Sequence, residues 1–230
     1  MTAKLIYLAR RAATVVRDDW PPTWRSHAVF ASQFPVLEAK IDWMRYCNRI
    51  DSDMPGVSPA HDGVAVAAGP TLAGLNGAGF SDAERALIDA DELRVFDMPT
   101  PNFTYYCEEQ PILAGPLGEV AVFMFLARLP GLSHAEWEAR WTGEHAAFAR
   151  DAITAPGSMT RYIHNRPLHD PLPMFPFDGI AEAWFASTAD AEAGLKTGTL
   201  ATLRSDLARF CDLRQSVTML TGVCHRWPKN

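Results

Sequence analysis

His145 is the side chain in this sequence best suited to move a proton near neutral pH, because an imidazole can both give and take one there. It stands in LSHAEWEARWTGEHAAFAR, where Trp137, Trp141, His145 and Phe148 recur at spacings of four, four and three. That spacing predicts a helix with all four on one face, the imidazole aimed between helix and sheet. The plain alternative is a histidine that packs at a helix end. Glu182 is the second candidate. It lies in GIAEAWF, an otherwise apolar strand on which alternation puts Ile180, Glu182 and Trp184 on one face. A carboxyl there would be desolvated and its pKa raised, as a proton shuttle needs; on a solvent face it would only be hydrated. Tyr162 is the third, sharing a strand face with His164 while Asn165 points the other way. A phenol and an imidazole could hold a carbonyl or hydroxyl oxygen.

Around these stand residues that could bind without reacting. Trp137, Trp141, Trp184 and Phe125 would wall a pocket for a flat ring, although such aromatics more often fill a core. Asp178 precedes a glycine and either meets a ligand or shapes a turn. His27 would line a second, vestigial pocket. Cys47, Cys107, Cys211 and Cys224 form no C-x-x-C pair, and no compact set of histidines and carboxylates suggests zinc or iron. No P-loop, G-x-S-x-G or G-x-G-x-x-G occurs in a fitting context. No metal and no cofactor are expected.

The elements that must position these residues follow from pattern. Strands are expected at Lys4 to Ala9, Asp42 to Asn48, Gly63 to Ala68 and Asn102 to Glu109, then at Val120 to Ala127, Met159 to Asn165, Gly179 to Phe185 and Ser216 to Cys224. A helix follows Asp18 and Asp19, with Pro21 and Pro22 tolerated in its first turn. Ser81 with Glu84, and Ser133 with Glu136, are capping boxes opening helices to about Asp89 and about Arg150. Pro156 and Gly157 break the chain after the second of these. Gly69 to Gly79 reads as a surface loop, and Gln110 to Gly118 as a linker.

One order, strand–helix–strand–strand–helix–strand, occurs twice. YLAR at Tyr7 to Arg10 matches FLAR at Phe125 to Arg128, and Trp20, Trp24 and His27 match Trp137, Trp141 and His145 with one residue fewer before the first histidine. Arg45-Tyr46 matches Arg161-Tyr162, and Asp62-Gly63 matches Asp178-Gly179. The expected fold is α+β: two ferredoxin-like βαββαβ repeats forming an intramolecular dimeric α+β barrel. Residues 1–110 would be a degenerate repeat and residues 119–230 the repeat with the active site. Val66 and Ala68 fall opposite Glu182 and Trp184, so the first half would mainly complete the barrel.

The chain has 230 residues, 48% hydrophobic and 21% charged, with net charge -6. This is ordinary for a soluble globule. Without a Lys/Arg cluster, nucleic acid and anionic membranes are not expected as partners. The longest apolar run is far too short to span a bilayer and no signal-peptide layout opens the chain, so a cytoplasmic location is expected. The pseudo-dimer would stand as a monomer or pair with a second copy.

The run LARLPGLSHAEWEARWTGEHAAFA, followed by RYIHN and DGIAEAWF, resembles the EthD-like family of the dimeric α+β barrel superfamily. The likeness covers Phe123 to Phe185 best. It departs at Glu144-His145, where the family often carries two histidines, and at Ala147, where it often carries proline. The resemblance implies a small-molecule enzyme or accessory protein, usually without metal or organic cofactor. Together with the residues above it points to a lyase or isomerase (a dehydratase, decarboxylase or cyclase) acting on a small, hydrophobic, oxygenated ring, with His145 moving the proton and Glu182 or Tyr162 assisting. A non-catalytic ligand-binding protein is the alternative, and a cofactor-free oxygenase the third.

Overall fold

The computed structural model describes residues 3–76, 79–153 and 159–228. The chain is mixed α+β. It has eight strands among the described residues. Two compact units share the chain: one takes the described residues of 1–49, 59–108 and 223–230, the other those of 50–58 and 109–222.

In the first unit, β1 (Ala3–Ala9) pairs with β3 (Gly63–Gly69) and β4 (Thr104–Leu113), and β2 (Trp43–Arg49) pairs with β3, all antiparallel. The helices α1 (Trp20–Ala31) and α4 (Asp82–Val95) contact each other, and the short α2 (Pro35–Glu38) and α3 (Leu72–Leu75) lie in the connections. The stretch expected to be a plain loop thus contains α3, with Thr71 Oγ1 accepting from the Gly74 amide at 3.2 Å. The capping box of α4 is formed, and the helix runs six residues beyond Asp89, its Ile88 and Val95 buried.

The second unit repeats the pairing. β5 (Val120–Leu126) lies between β7 (Gly179–Phe185) and β8 (Val217–Trp227), and β6 (Met159–Pro167) pairs with β7. The β8 residues after Gly222 belong to the first unit. Every residue of β5 and β7 is buried, which is why both read as apolar on both faces. The helix layer comprises α5 (His134–Ala139), a π segment at Arg140–His145, α6 (Ala146–Ala152), α7 (Thr188–Lys196) and α8 (Thr199–Leu207). Ser133 Oγ accepts from the Glu136 amide at 3.2 Å while Glu136 Oε2 accepts from the Ser133 amide at 2.8 Å, so the expected capping box starts α5. With Ala147 in place of a proline, the helix continues to Ala152. The break expected at Pro156 and Gly157 lies outside the described residues. No helix among the described residues is long and apolar enough to cross a membrane.

Candidate active site

The two faces of the second sheet carry different residues. Val122, Met124, Tyr162, Ala181 and Ala183 join Trp137, Trp141, Leu203 and Leu207 in the core between sheet and helices. Tyr162 faces Ala183 and His164 faces Ala181 across the β6–β7 ladder, so His164 lies on this side too. Ile163 faces Glu182 and Asn165 faces Ile180, which puts Glu182, Trp184 and Asn165 on the opposite face. Phe125, paired with Ile180, lies there as well. The structure therefore separates the expected catalytic residues. His145 and Tyr162 share the helix side of the sheet, and Glu182, fully buried, does not. The expectation of one proton relay through His145 and Glu182 is corrected by this alternation.

His145 finds a different carboxylate. Its Nδ1 lies 2.7 Å from Asp206 Oδ2 on α8, and Arg209 donates to the other oxygen, Oδ1, at 2.9 Å. An ionised carboxylate only accepts, so Nδ1 carries the proton and a neutral ring presents a lone pair at Nε2. That Nε2 is buried and has no hydrogen-bond partner. Burial lowers the pKa of His145; the hydrogen bond to Asp206 and its charge oppose this without overcoming it. For Asp206, burial pushes upward but His145 and Arg209 outweigh it and leave the pKa below the usual value. The result is a desolvated, oriented imidazole that is neutral at pH 7, the form that accepts a proton.

Stacked rings surround it. His164 lies flat between Trp141, at 4.7 Å and 18°, and His145, at 5.4 Å and 11°. Both His164 ring nitrogens are buried without a partner, and burial, then the charge of His145, holds its pKa well below the usual value. Tyr162 meets His164 edge-on at 5.2 Å, and burial holds its phenol above its usual value. Phe210 meets His145 edge-on at 5.7 Å. A cleft of about 330 Å³ abuts the imidazole, lined by Arg140, Glu144, Phe148, Asp206, Arg209 and Phe210 as well as His145 itself. Phe148 is 39% exposed, so the helical stripe ends at the mouth of this cleft.

The remaining candidates make contacts within the fold. Asp178 is 2% exposed and accepts from the Arg128 amide at 2.9 Å, the Arg128 guanidinium and, at 3.0 Å, His134 Nδ1. Asn165 donates from Nδ2 to the Ile180 carbonyl at 3.2 Å. Trp137 donates to Cys211 Sγ at 3.2 Å, and Trp184 meets Phe123 edge-on at 5.9 Å.

The first unit contains the same constellation. His27 Nδ1 lies 2.7 Å from Asp91 Oδ2, and Arg94 donates to Asp91 Oδ1 at 2.9 and 2.7 Å. Trp20 and Trp24 sit 4.9 Å apart, as do Trp137 and Trp141. Arg11, by backbone and guanidinium, holds Asp62 as Arg128 holds Asp178, so the counterpart of Arg128 is Arg11 and not Arg10. Counting from Gly63 and Gly179, Tyr46 faces Ala65 as His164 faces Ala181, so Tyr46 corresponds to His164 and not to Tyr162. His27 follows Trp24 by three positions, but His145 follows Trp141 by four. The π segment Arg140–His145 absorbs the extra residue, so both histidines reach their aspartates at the same distance.

The halves differ in how the space between helices and sheet is filled. In the second, Tyr162 and His164 fill it with fully buried rings. In the first, Met44 and Tyr46 take those places, and a chamber of about 430 Å³ opens beside His27. The expectation that Trp137 and Trp141 wall a pocket is thus corrected: the space beneath them is packed, and the hollow of about 430 Å³ belongs to the earlier half. Asp91 and Asp206 were not read from the sequence. The repeated D-x-x-R, DELR at Asp91 and DLAR at Asp206, is the signal that could have found them.

Residues 129–214 match the model of the EthD domain. No curated protein matches the chain in sequence. Among solved structures, a protein from Fusobacterium nucleatum assigned as a monooxygenase has a TM-score of 0.64 at 6% identity, with 98% of this chain and 93% of that chain covered. An anthrone oxidase-like protein has a TM-score of 0.59 at 12% identity, with 98% and 92% covered. A chlorite dismutase variant from Candidatus Nitrospira defluvii has a TM-score of 0.52 at 10% identity, with 96% and 90% covered. At these identities the likeness is one of fold alone.

Proposed function

We propose that this chain is an enzyme of the lyase or isomerase kind that acts on a small oxygenated ring by acid–base chemistry at His145. One observation carries the reading: Nδ1 is held by Asp206 at 2.7 Å while the buried Nε2 has no partner and the ring abuts an open cleft. The neutral imidazole takes a proton from a carbon next to the substrate carbonyl. Asp206, itself held by Arg209, steadies the imidazolium that forms. In a dehydration the imidazolium then returns that proton to the departing hydroxyl; in a decarboxylation His145 instead takes the carboxylic acid proton and gives it to the carbanion that loss of carbon dioxide leaves. Because the His145 side chain is closed to solvent, substrate entry requires Phe148, tilted against it at 6.4 Å, to swing out. Tyr162 reaches His145 only through His164, so its part is to shape the stack.

The two units also read as a tandem duplication of one ferredoxin-like βαββαβ plan. The shared strand pairing and the matched Asp–Arg and His–Asp contacts support this. A cofactor-free oxygenase is the second reading, favoured by the fold neighbours named as a monooxygenase and as anthrone oxidase-like.

The test is a panel of hydroxylated ring ketones, followed by mass spectrometry for loss of water or carbon dioxide and by an oxygen electrode. The lyase reading expects mass loss without oxygen uptake, with His145→Asn slowing turnover by about two to four orders of magnitude. Oxygen consumption matching product would replace it with the oxygenase reading. Turnover by folded His145→Asn at the wild-type rate would remove His145 from the chemistry.

A further inference from the structure

We propose that the chamber of the first half is a ligand site in its own right, shaped for an uncharged, flat ring bearing a hydroxyl or keto oxygen. The inference does not rest on the role given to His145.

The chamber measures about 430 Å³, room for a ring system of two or three fused rings. Leu5, Met44, Leu75, Phe80 and Ile88 give it apolar walls. Tyr7, Tyr46, His27 and Glu92 lie together on its lining. Tyr7 and Tyr46 meet edge-on at 6.4 Å, and His27 and Tyr46 at 6.3 Å, so the polar groups converge in one part of the chamber. The Tyr7 side chain is 7% exposed, and its buried hydroxyl sits beside the Tyr46 hydroxyl and the Trp24 indole, so the two phenols offer a ligand oxygen both a donor and acceptors.

The charges argue for a neutral ligand. Arg85, the cation on the lining, stands 3.6 Å from Asp89. Glu92 accepts from Thr100 Oγ1 at 2.7 Å, and burial raises its pKa. Burial, then the neighbouring Tyr46, holds the Tyr7 phenol well above its usual value, so it stays a donor. A carboxylate ligand would meet Glu92 and find Arg85 already engaged; a phenol or ketone would meet a donor and acceptors without that cost.

The test compares two probes of one shape, 2-naphthol and 2-naphthoate, by equilibrium dialysis at pH 7 against the full chain. The expected result is saturable binding of 2-naphthol with a Kd on the order of 10–100 µM, and at least about tenfold weaker binding of 2-naphthoate. Tyr7→Phe should weaken 2-naphthol about five- to tenfold, and Ile88→Trp, which fills the chamber, should abolish binding. In His145→Asn, binding should persist, which separates this site from the second-half cleft. Absence of saturable binding, equal affinity for the two probes, wild-type affinity in Tyr7→Phe, or loss of binding in His145→Asn would each overturn the proposal. Should Ile88→Trp not fold, Tyr7→Phe decides alone, since it removes one oxygen and keeps the ring.

Discussion

His145 Nδ1 and Asp206 Oδ2 stand 2.7 Å apart, joining the end of the π segment to α8, and His27 and Asp91 repeat the contact at the same distance in the other half. In each half an arginine three residues after the aspartate holds the second carboxylate oxygen. A contact kept through an inserted helical residue ties the two helices together and fixes which imidazole nitrogen is left free.

Asp206→Asn tests that link. The amide can still meet Nδ1 but cannot stabilise an imidazolium, so turnover should fall about ten- to a thousandfold while far-UV circular dichroism is unchanged. A variant as fast as the parent would reduce the contact to a helix clasp.

Gly179 tests the packing. A Cβ there would run into the Trp141 and Trp137 rings. Gly179→Ala should cost about 1–3 kcal/mol in a urea melt, through overpacking against rigid indoles. A cost near zero would place those indoles elsewhere.

Stability should respond to acid. His145 and His164 have lowered pKa values in the folded chain, and His61 is lowered to about 4, burial being the first cause in each. Between those values and the unfolded value near 6.5, the unfolded chain binds more protons, so stability is full above about pH 6.5 and falls as pH drops below it. Tm should decline from pH 7 to pH 5. His164→Tyr, the residue used at the matching place in the first half, should flatten that decline. An equal slope in the variant would contradict the assignment of His164 as a buried neutral ring.

Glu182→Gln separates the two sheet faces. Because Glu182 faces away from His145, the lyase reading expects turnover within about twofold of the parent, and any loss should appear in thermal stability instead. A hundredfold loss of turnover with the fold intact would return Glu182 to the chemistry.

Much of this fold was legible in the residues. The capping boxes at Ser81 and Ser133, the alternation in GIAEAWF and the repeated tryptophan helix each report a local rule, and each element formed near its expected place. The site was legible only in part. His145 is where the helical stripe put it, but Asp206 lies 61 residues on, and nothing local couples them. Glu182 drew attention as an acid on an apolar strand, yet alternation fixes only which residues share a face. Choosing the side on which His145 lies takes the neighbouring strand's register. The chamber was invisible because it depends on volume: Met44 and Tyr46 leave it open where Tyr162 and His164 close it, and periodicity does not see such an exchange.

The most direct measurement is the ¹⁵N chemical shift and pH titration of the His145 ring in uniformly labelled protein. The account predicts a neutral ring at pH 7 with the proton on Nδ1 and a bare Nε2, titrating below 6.5. A ring already charged at pH 7, or one with its proton on Nε2, would contradict it.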